Sequence, residues 1–210
     1  MTPRSVPYVG ERLREHRQRR GIGVRSLARE LGVSASLISQ IETGKSQPSV
    51  STLYAMTTAL GISVDDVFTA DGTGGDDHSA GLDGVGRLAA LRAEPGQRVG
   101  PLVRPGSREV LKLAAGVTWE RLGQLAHQHV DFLLITYEPG ASSSSTSGLM
   151  HHGGSECGYL LQGELILTLG SEELRLAPGD AISFESTTPH RYRNDSLEPA
   201  VGVWFVAEPG

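Results

Sequence analysis

The stretch VRSLARELGVSASLISQIETGK, residues 24–45, decides how this chain folds at its front end. Apolar residues recur at helical spacing on both sides of Gly32-Val33-Ser34. Leu27, Ala28 and Leu31 make the buried stripe of a first helix, and Ile38 and Ile41 anchor a second. Gly32 suits a left-handed helix end, where a Cβ would be strained. Ser34 is a good N-cap. Val33 plugs the turn, and Ala28 is small enough for the two helices to cross closely. Ala35, Ser36, Ser39 and Gln40 are left on the outer side of the second helix, where short side chains can reach base edges in a major groove.

Reading outward, further helices are expected over 9–19, after Pro48-Ser49 up to Leu60-Gly61, and after Ser63, where Ser63-Val64-Asp65-Asp66 resembles a capping box. Five helices over 8–69 therefore surround a helix-turn-helix. The basic GERLREHRQRRG, LARELGVS at 27–34, SQIETGKSQPS at 39–49 and ALGISVDDVF at 59–68 together resemble the phage-repressor-like (XRE) helix-turn-helix family. The resemblance implies DNA contacts from Ser34, Ala35, Ser36, Ser39 and Gln40, and phosphate contacts from Lys45, Ser46 and Gln47. It also implies an ion pair between Arg17 and Glu42. Val24 stands where many family members carry a polar phosphate-contacting residue, and Arg25 is expected to take over that contact. Ala35 and Ser36 read bases less strongly than Gln or Arg would, so part of the specificity is expected to come from DNA shape.

Charge supports this division. The 210 residues carry a formal net charge of −5, but residues 1–45 hold nine Lys and Arg against four acids. A basic head on an acidic body suits a nucleic-acid-binding module joined to something else. No apolar run approaches the ~20 residues that span a bilayer, and the charged N-terminus is unlike a signal peptide. One cysteine, Cys157, excludes an internal disulfide. A cytoplasmic protein without membrane contact is the expectation.

Residues 70–86 (ADGTGGDDHSAGLDGVG) are rich in Gly and Asp and read as a flexible linker. A first strand is expected near Leu88–Leu91. From about residue 108 the texture changes to short β-type runs at 108–114, 117–122, 130–138, 157–162, 164–169, 172–177, 180–185, 189–193 and 199–206. Eight or nine antiparallel strands in so short a stretch need a sandwich or barrel to hide their edges. The fold class is thus two-domain: an all-α head, then an all-β body over 87–210.

HHGGSECGYLLQGEL (151–165) and APGDAISFESTTPHRYRN (177–194) carry the chemistry of the body. They resemble the two motifs of the cupin family, a jelly-roll barrel. His152, Glu156 and Gly163 match the first motif, and His190 and Asn194 end the second. The resemblance implies a two-histidine, one-carboxylate set, His152, Glu156 and His190, for Fe, Mn, Ni or Zn. Met150 stands in place of the motif's first histidine, and His151 points to the opposite face if the strand is regular. These three residues have a second reading, as polar groups lining an organic-ligand pocket without metal. Tyr192, on the same strand face as His190, is the first choice for a pocket-lining aromatic, with Phe184 and Tyr159 beside it. His127 and His129 are expected on the surface, and Cys157 as a buried structural thiol.

Together the halves resemble XRE–cupin transcription regulators. That implies a homodimer on pseudo-palindromic double-stranded DNA, acting as a repressor and responding to a small-molecule effector. The alternative is a mononuclear iron cupin oxygenase or epoxidase whose head is structural.

Overall fold

The computed structural model describes residues 9–68, 102–123, 130–144, 146 and 148–207. The expected linker, the strand near Leu88–Leu91, and His127 and His129 lie outside the described residues.

Among the described residues five helices form the head: α1 (Val9–Arg19), α2 (Val24–Glu30), α3 (Ala35–Glu42), α4 (Val50–Leu60) and α5 (Val64–Phe68). Their ends follow the local chemistry. Ser34 Oγ accepts from the Leu37 amide at 3.1 Å, and Ser49 Oγ accepts from Thr52 at 3.2 Å. Ser63 and Asp66 close the expected box: Asp66 accepts from the Ser63 amide at 2.8 Å, and Ser63 Oγ accepts from the Asp66 amide at 3.2 Å. Leu13, Leu27, Ile38, Ile41, Leu53, Met56 and Leu60 fill the centre. Gly10 lets α1 approach α3, since a Cβ there would lie 1.7 Å from the Ile41 carbonyl oxygen. Arg17 Nε donates to Glu42 Oε1 at 2.5 Å and Nη2 to Oε2 at 2.8 Å, a buried two-pronged pair that holds α1 against the end of α3. The hydrogen bonds from Glu42 raise the Arg17 pKa despite burial.

Among the described residues the body holds nine strands: β1 (Val110–Lys112), β2 (Val117–Gly123), β3 (Val130–Tyr137), β4 (Ser155–Gln162), β5 (Leu165–Leu169), β6 (Glu172–Leu176), β7 (Ala181–Glu185), β8 (His190–Arg193) and β9 (Ala200–Ala207). The expected barrel takes the form of two sheets, ordered β1-β2-β3-β9-β4-β7 and β6-β5-β8, with all pairs antiparallel. The first expected run, 108–114, is a strand only over Val110–Lys112 and then turns through a 3-10 segment at Ala114–Gly116.

Alternation sets the inner face. Leu133, Ile135 and Tyr137 of β3 are buried, as are Gly202, Trp204 and Val206 of β9 and Glu156, Gly158 and Leu160 of β4. The Trp204 indole lies over two glycines. A Cβ would come within 2.6 Å of it at Gly158 and 2.3 Å at Gly202. Trp204 Nε1 then donates to the Tyr192 hydroxyl at 3.2 Å, so these glycines position a tryptophan that serves the site.

The head packs on the body, and their buried apolar residues form one contiguous cluster. The Ser51 amide in the first turn of α4 donates to the Ser143 carbonyl at 2.9 Å. First-turn amides have no partner inside their own helix, so the body supplies one. The Ala114 amide donates back to the Pro48 carbonyl at 2.9 Å. Arg121 of β2 is ion-paired with Asp65 of α5 and lies 4.9 Å from the centre of the Phe68 ring. Burial lowers the Arg121 pKa to about 10, with Asp131 opposing the shift.

Candidate metal centre and nucleic-acid interface

His152 lies just ahead of β4 rather than within a strand, while Glu156 is on β4 and His190 opens β8. Each is buried, and one ligand atom from each lies within 4.8 Å of the others. Register brings them together. β4 pairs with β7, and an isolated bridge joins Met150 to His190. Their amides and carbonyls exchange bonds at 2.9 and 2.8 Å. Met150 thus holds the two motifs together by its backbone.

Proton bookkeeping defines what the cluster can hold. His152 Nδ1 donates to the Gly153 carbonyl at 3.0 Å, and His190 Nδ1 donates to the Thr188 carbonyl at 2.8 Å. A carbonyl only accepts, so both protons sit on Nδ1, and a neutral ring presents its Nε2 lone pair to the site. Both Nε2 atoms face Glu156 Oε1, at 3.0 Å from His152 and 3.1 Å from His190. Buried His190 Nε2 makes no aligned hydrogen bond. Three acceptors converging in a buried place need positive charge between them, either protons on the imidazoles or a metal cation.

The residues present fit the metal. Ligands about 2.1 Å from one ion at right angles stand about 3 Å apart, as each histidine Nε2 does from Glu156 Oε1. Backbone carbonyls fixing the far nitrogen of each histidine are the usual support of metal-binding imidazoles. The Tyr192 hydroxyl donates to Glu156 Oε2 at 3.1 Å, turning Oε1 toward the histidines. Burial pushes the Glu156 carboxyl up, but His152 and His190, which stand close enough to Oε1 to donate and to carry positive charge when protonated, outweigh it and bring the pKa to about 2. Burial and the Glu156 charge hold the Tyr192 phenol well above its ordinary value, so it stays a donor.

Tyr192 is buried between this carboxylate and Trp204, and Phe184 meets His190 edge-on at 5.0 Å. Tyr159 is a correction. It is 46% exposed and lies on the outer face, because Glu156, Gly158 and Leu160 take the inner positions of β4. By the same alternation Cys157 is exposed, not a buried thiol. His151 is exposed, away from the cluster.

Sequence reading missed Tyr54. Its ring stacks on His152 at 3.9 Å with planes 5° apart, and stands 5.8 Å from Trp119. An aromatic inside α4 reads as head core, and nothing in its spacing announces a second domain. Val50 and Tyr54 of the head join Trp119, Ile135, Met150 and Glu156 of the body around the small cavity beside the cluster. The remaining free space there is about 10 Å³, room for one water at most.

On the head, Arg25, Ser34, Ser36, Ser39, Gln40, Lys45 and Gln47 are exposed, with Ala35 and Ser46 half-buried. Ser34 spends its hydroxyl on the α3 cap, so a base contact from it would compete with the helix end. Gln40 Nε2 lies 3.4 Å from Ser36 Oγ, one turn along α3.

A helix-turn-helix domain model matches residues 9–68, and a cupin domain model matches residues 133–206. The chain is 26% identical over 189 residues to the HTH-type transcriptional regulator PuuR of Escherichia coli, covering 89% of this chain and 88% of that one. The HTH-type transcriptional regulator SutR of the same organism is 22% identical, covering 89% and 87%. A crystal structure of an HTH_3 family transcriptional regulator from Vibrio cholerae superposes with a TM-score of 0.62 at 22% identity, covering 97% and 96%. A helix-turn-helix match followed by a cupin match, with similarity along most of the chain to HTH-type transcriptional regulators, is what the sequence of this chain shares with known proteins.

Proposed function

We propose that the chain is a DNA-binding transcriptional regulator, a cytoplasmic homodimer whose cupin domain reports a small molecule to its helix-turn-helix head. The observation that carries this reading is α3, which is anchored inward by Ile38, Ile41 and the Arg17–Glu42 pair and leaves Ser36, Ser39 and Gln40 exposed beside Arg25 and Lys45. The working division is a DNA-binding domain over 8–69, a linker over 70–86 and a sensing and dimerising domain over 87–210. His152, Glu156 and His190 hold a divalent Fe, Mn, Ni or Zn ion, which when bound supplies a positive centre to anchor a polar atom of the effector. Tyr192 and Phe184 line the site around it.

Dimerisation is assigned to the outer face of β3, β9 and β4. There Phe132 stacks on Phe205 at 4.3 Å, and Phe205, Tyr159 and Leu161 are exposed side by side on paired strands. Such a patch on a soluble domain marks an interaction surface. A homodimer presents two copies of α3 to half-sites about one helical turn apart. Repression is the sign assigned to the regulator.

Gel shifts with promoter fragments of its own and neighbouring genes, at several salt concentrations, test the reading. Sequence-specific binding that weakens steeply with salt is expected. Absence of specific binding to any fragment overturns it. The His–Glu–His set also favours a second reading, an iron-dependent oxygenase. Dioxygen consumption that requires added Fe(II) and a substrate decides for the enzyme.

A further inference from the structure

We propose that the head itself closes the cupin's ligand seat: Tyr54 occupies, against the face of His152, the place that a small flat organic ligand takes, so ligand binding and docking of the DNA-binding head exclude one another. This rests on the reading of the cupin as the sensing domain and names how the sensing site is coupled to the head.

With Tyr54 in place the cavity keeps about 10 Å³, which admits no organic molecule. The His152 Nε2 lone pair lies in the plane of its own ring and Nε2 stands 3.0 Å from Glu156 Oε1, whereas Tyr54 covers the face of that ring. A metal ion and Tyr54 are therefore compatible, but an organic ligand and Tyr54 are not. The seat that Tyr54 fills is floored by the His152 imidazole and flanked by Trp119, and the space beside it is lined by Ile135 and Met150 with the polar Glu156 and Tyr192, so it takes a planar group of about phenol size.

Tyr54 cannot leave alone. It sits on α4, whose Leu53, Met56 and Leu60 are fully buried in the head core. Withdrawing the ring far enough to admit a ligand shifts α4, and with it the head that carries α3. The contacts that must break are the Ser51-to-Ser143 and Ala114-to-Pro48 hydrogen bonds and the Arg121–Asp65 pair. A ligand that prefers the undocked state shifts the population toward it by its differential affinity.

The test uses the full chain and p-cresol, the tyrosine side chain as a free molecule. Docking is read from hydrogen exchange at the Ser51 and Ala114 amides, and binding from Trp fluorescence. Wild type and Tyr54→Phe should keep both amides protected and bind p-cresol at least ~10-fold more weakly than Tyr54→Ala, because a tethered ring competes at millimolar or higher effective concentration. Asp65→Lys leaves the cavity walls unchanged and turns an attraction to Arg121 into repulsion. It should deprotect both amides and open the seat to p-cresol, while the buried amides of Leu13 and Leu53 stay protected. Saturable p-cresol binding by wild type with the Ser51 and Ala114 amides still protected overturns the exclusion. So does failure of Asp65→Lys to bind p-cresol once those amides exchange freely. Operator binding is scored separately: a chain that binds its operator but gives either of these results loses only the exclusion, and one that excludes p-cresol but binds no operator loses the regulator reading.

Discussion

The Tyr54 ring of α4 lies parallel to the His152 imidazole, 3.9 Å away, so a helix of the DNA-reading head touches a candidate metal ligand of the cupin. Helix, ligand face and carboxylate form one stacked series. Tyr54 covers His152, His152 meets Glu156, and Glu156 is held from behind by Tyr192 and Trp204. Both domains contribute to the same buried place.

Tyr192→Phe keeps the ring but removes the donor to Glu156 Oε2 and the acceptor for Trp204 Nε1. Divalent-metal affinity should fall about 10-fold, the usual cost of losing an outer partner. His190→Ala, which removes a ligand, should cost more. Calorimetric titration with Ni(II) or Mn(II) checks both, and equal affinity in all three proteins would remove the metal from this site.

Glu156 has a folded-state pKa of about 2 against an ordinary 4.5. Its stabilising contribution is therefore complete above pH 4.5 and is lost as the pH falls toward 2. In metal-free protein, urea midpoints of wild type should drop across that window. Glu156→Gln should be less stable above it and show a flatter acid limb. Parallel curves for the two proteins would contradict the linkage.

Gly158→Ala places a methyl 2.6 Å from the Trp204 ring, with the backbone of a central strand beneath it. Overpacking of this kind costs about 1–3 kcal/mol. A lowered thermal midpoint is expected, with Trp204 displaced from the Tyr192 hydroxyl. Weakened metal binding should accompany it, since Tyr192 orients Glu156.

Arg25→Ala and Lys45→Ala should weaken binding to specific and random duplexes alike, each reducing the salt slope by about 1. Gln40→Ala should instead narrow the gap between specific and random DNA by about 1–3 kcal/mol. Salt-dependent fluorescence anisotropy separates the two behaviours. A purely specific effect from Arg25 would move it from phosphate to base contact.

Much of the head was legible because its signals are local. Capping serines, the Gly32 turn and apolar spacing act within a few residues, and α1 to α5 fall where those signals place them. The strands were legible in number from turn punctuation. The face each residue presents was harder: Tyr159 was misplaced because inner positions at Glu156, Gly158 and Leu160 send it outward, and aromatic character does not reveal that phase; Cys157 faces away from the pocket as alternation implies, but on an exposed face rather than a buried one. The shortened β1 reflects a left-handed turn at Ala115-Gly116 that no sequence rule marks for an alanine.

By itself the sequence determined two domains, a helical head with its recognition helix and an antiparallel body with two histidines and a glutamate, since each follows from short-range propensity or motif spacing. Only the tertiary structure decided that the three acceptors share one buried point and that Tyr54 crosses from the head to cover it. The first joins residues up to 38 positions apart through sheet register, the second residues 98 positions apart through domain packing, and neither leaves a periodic trace in the chain.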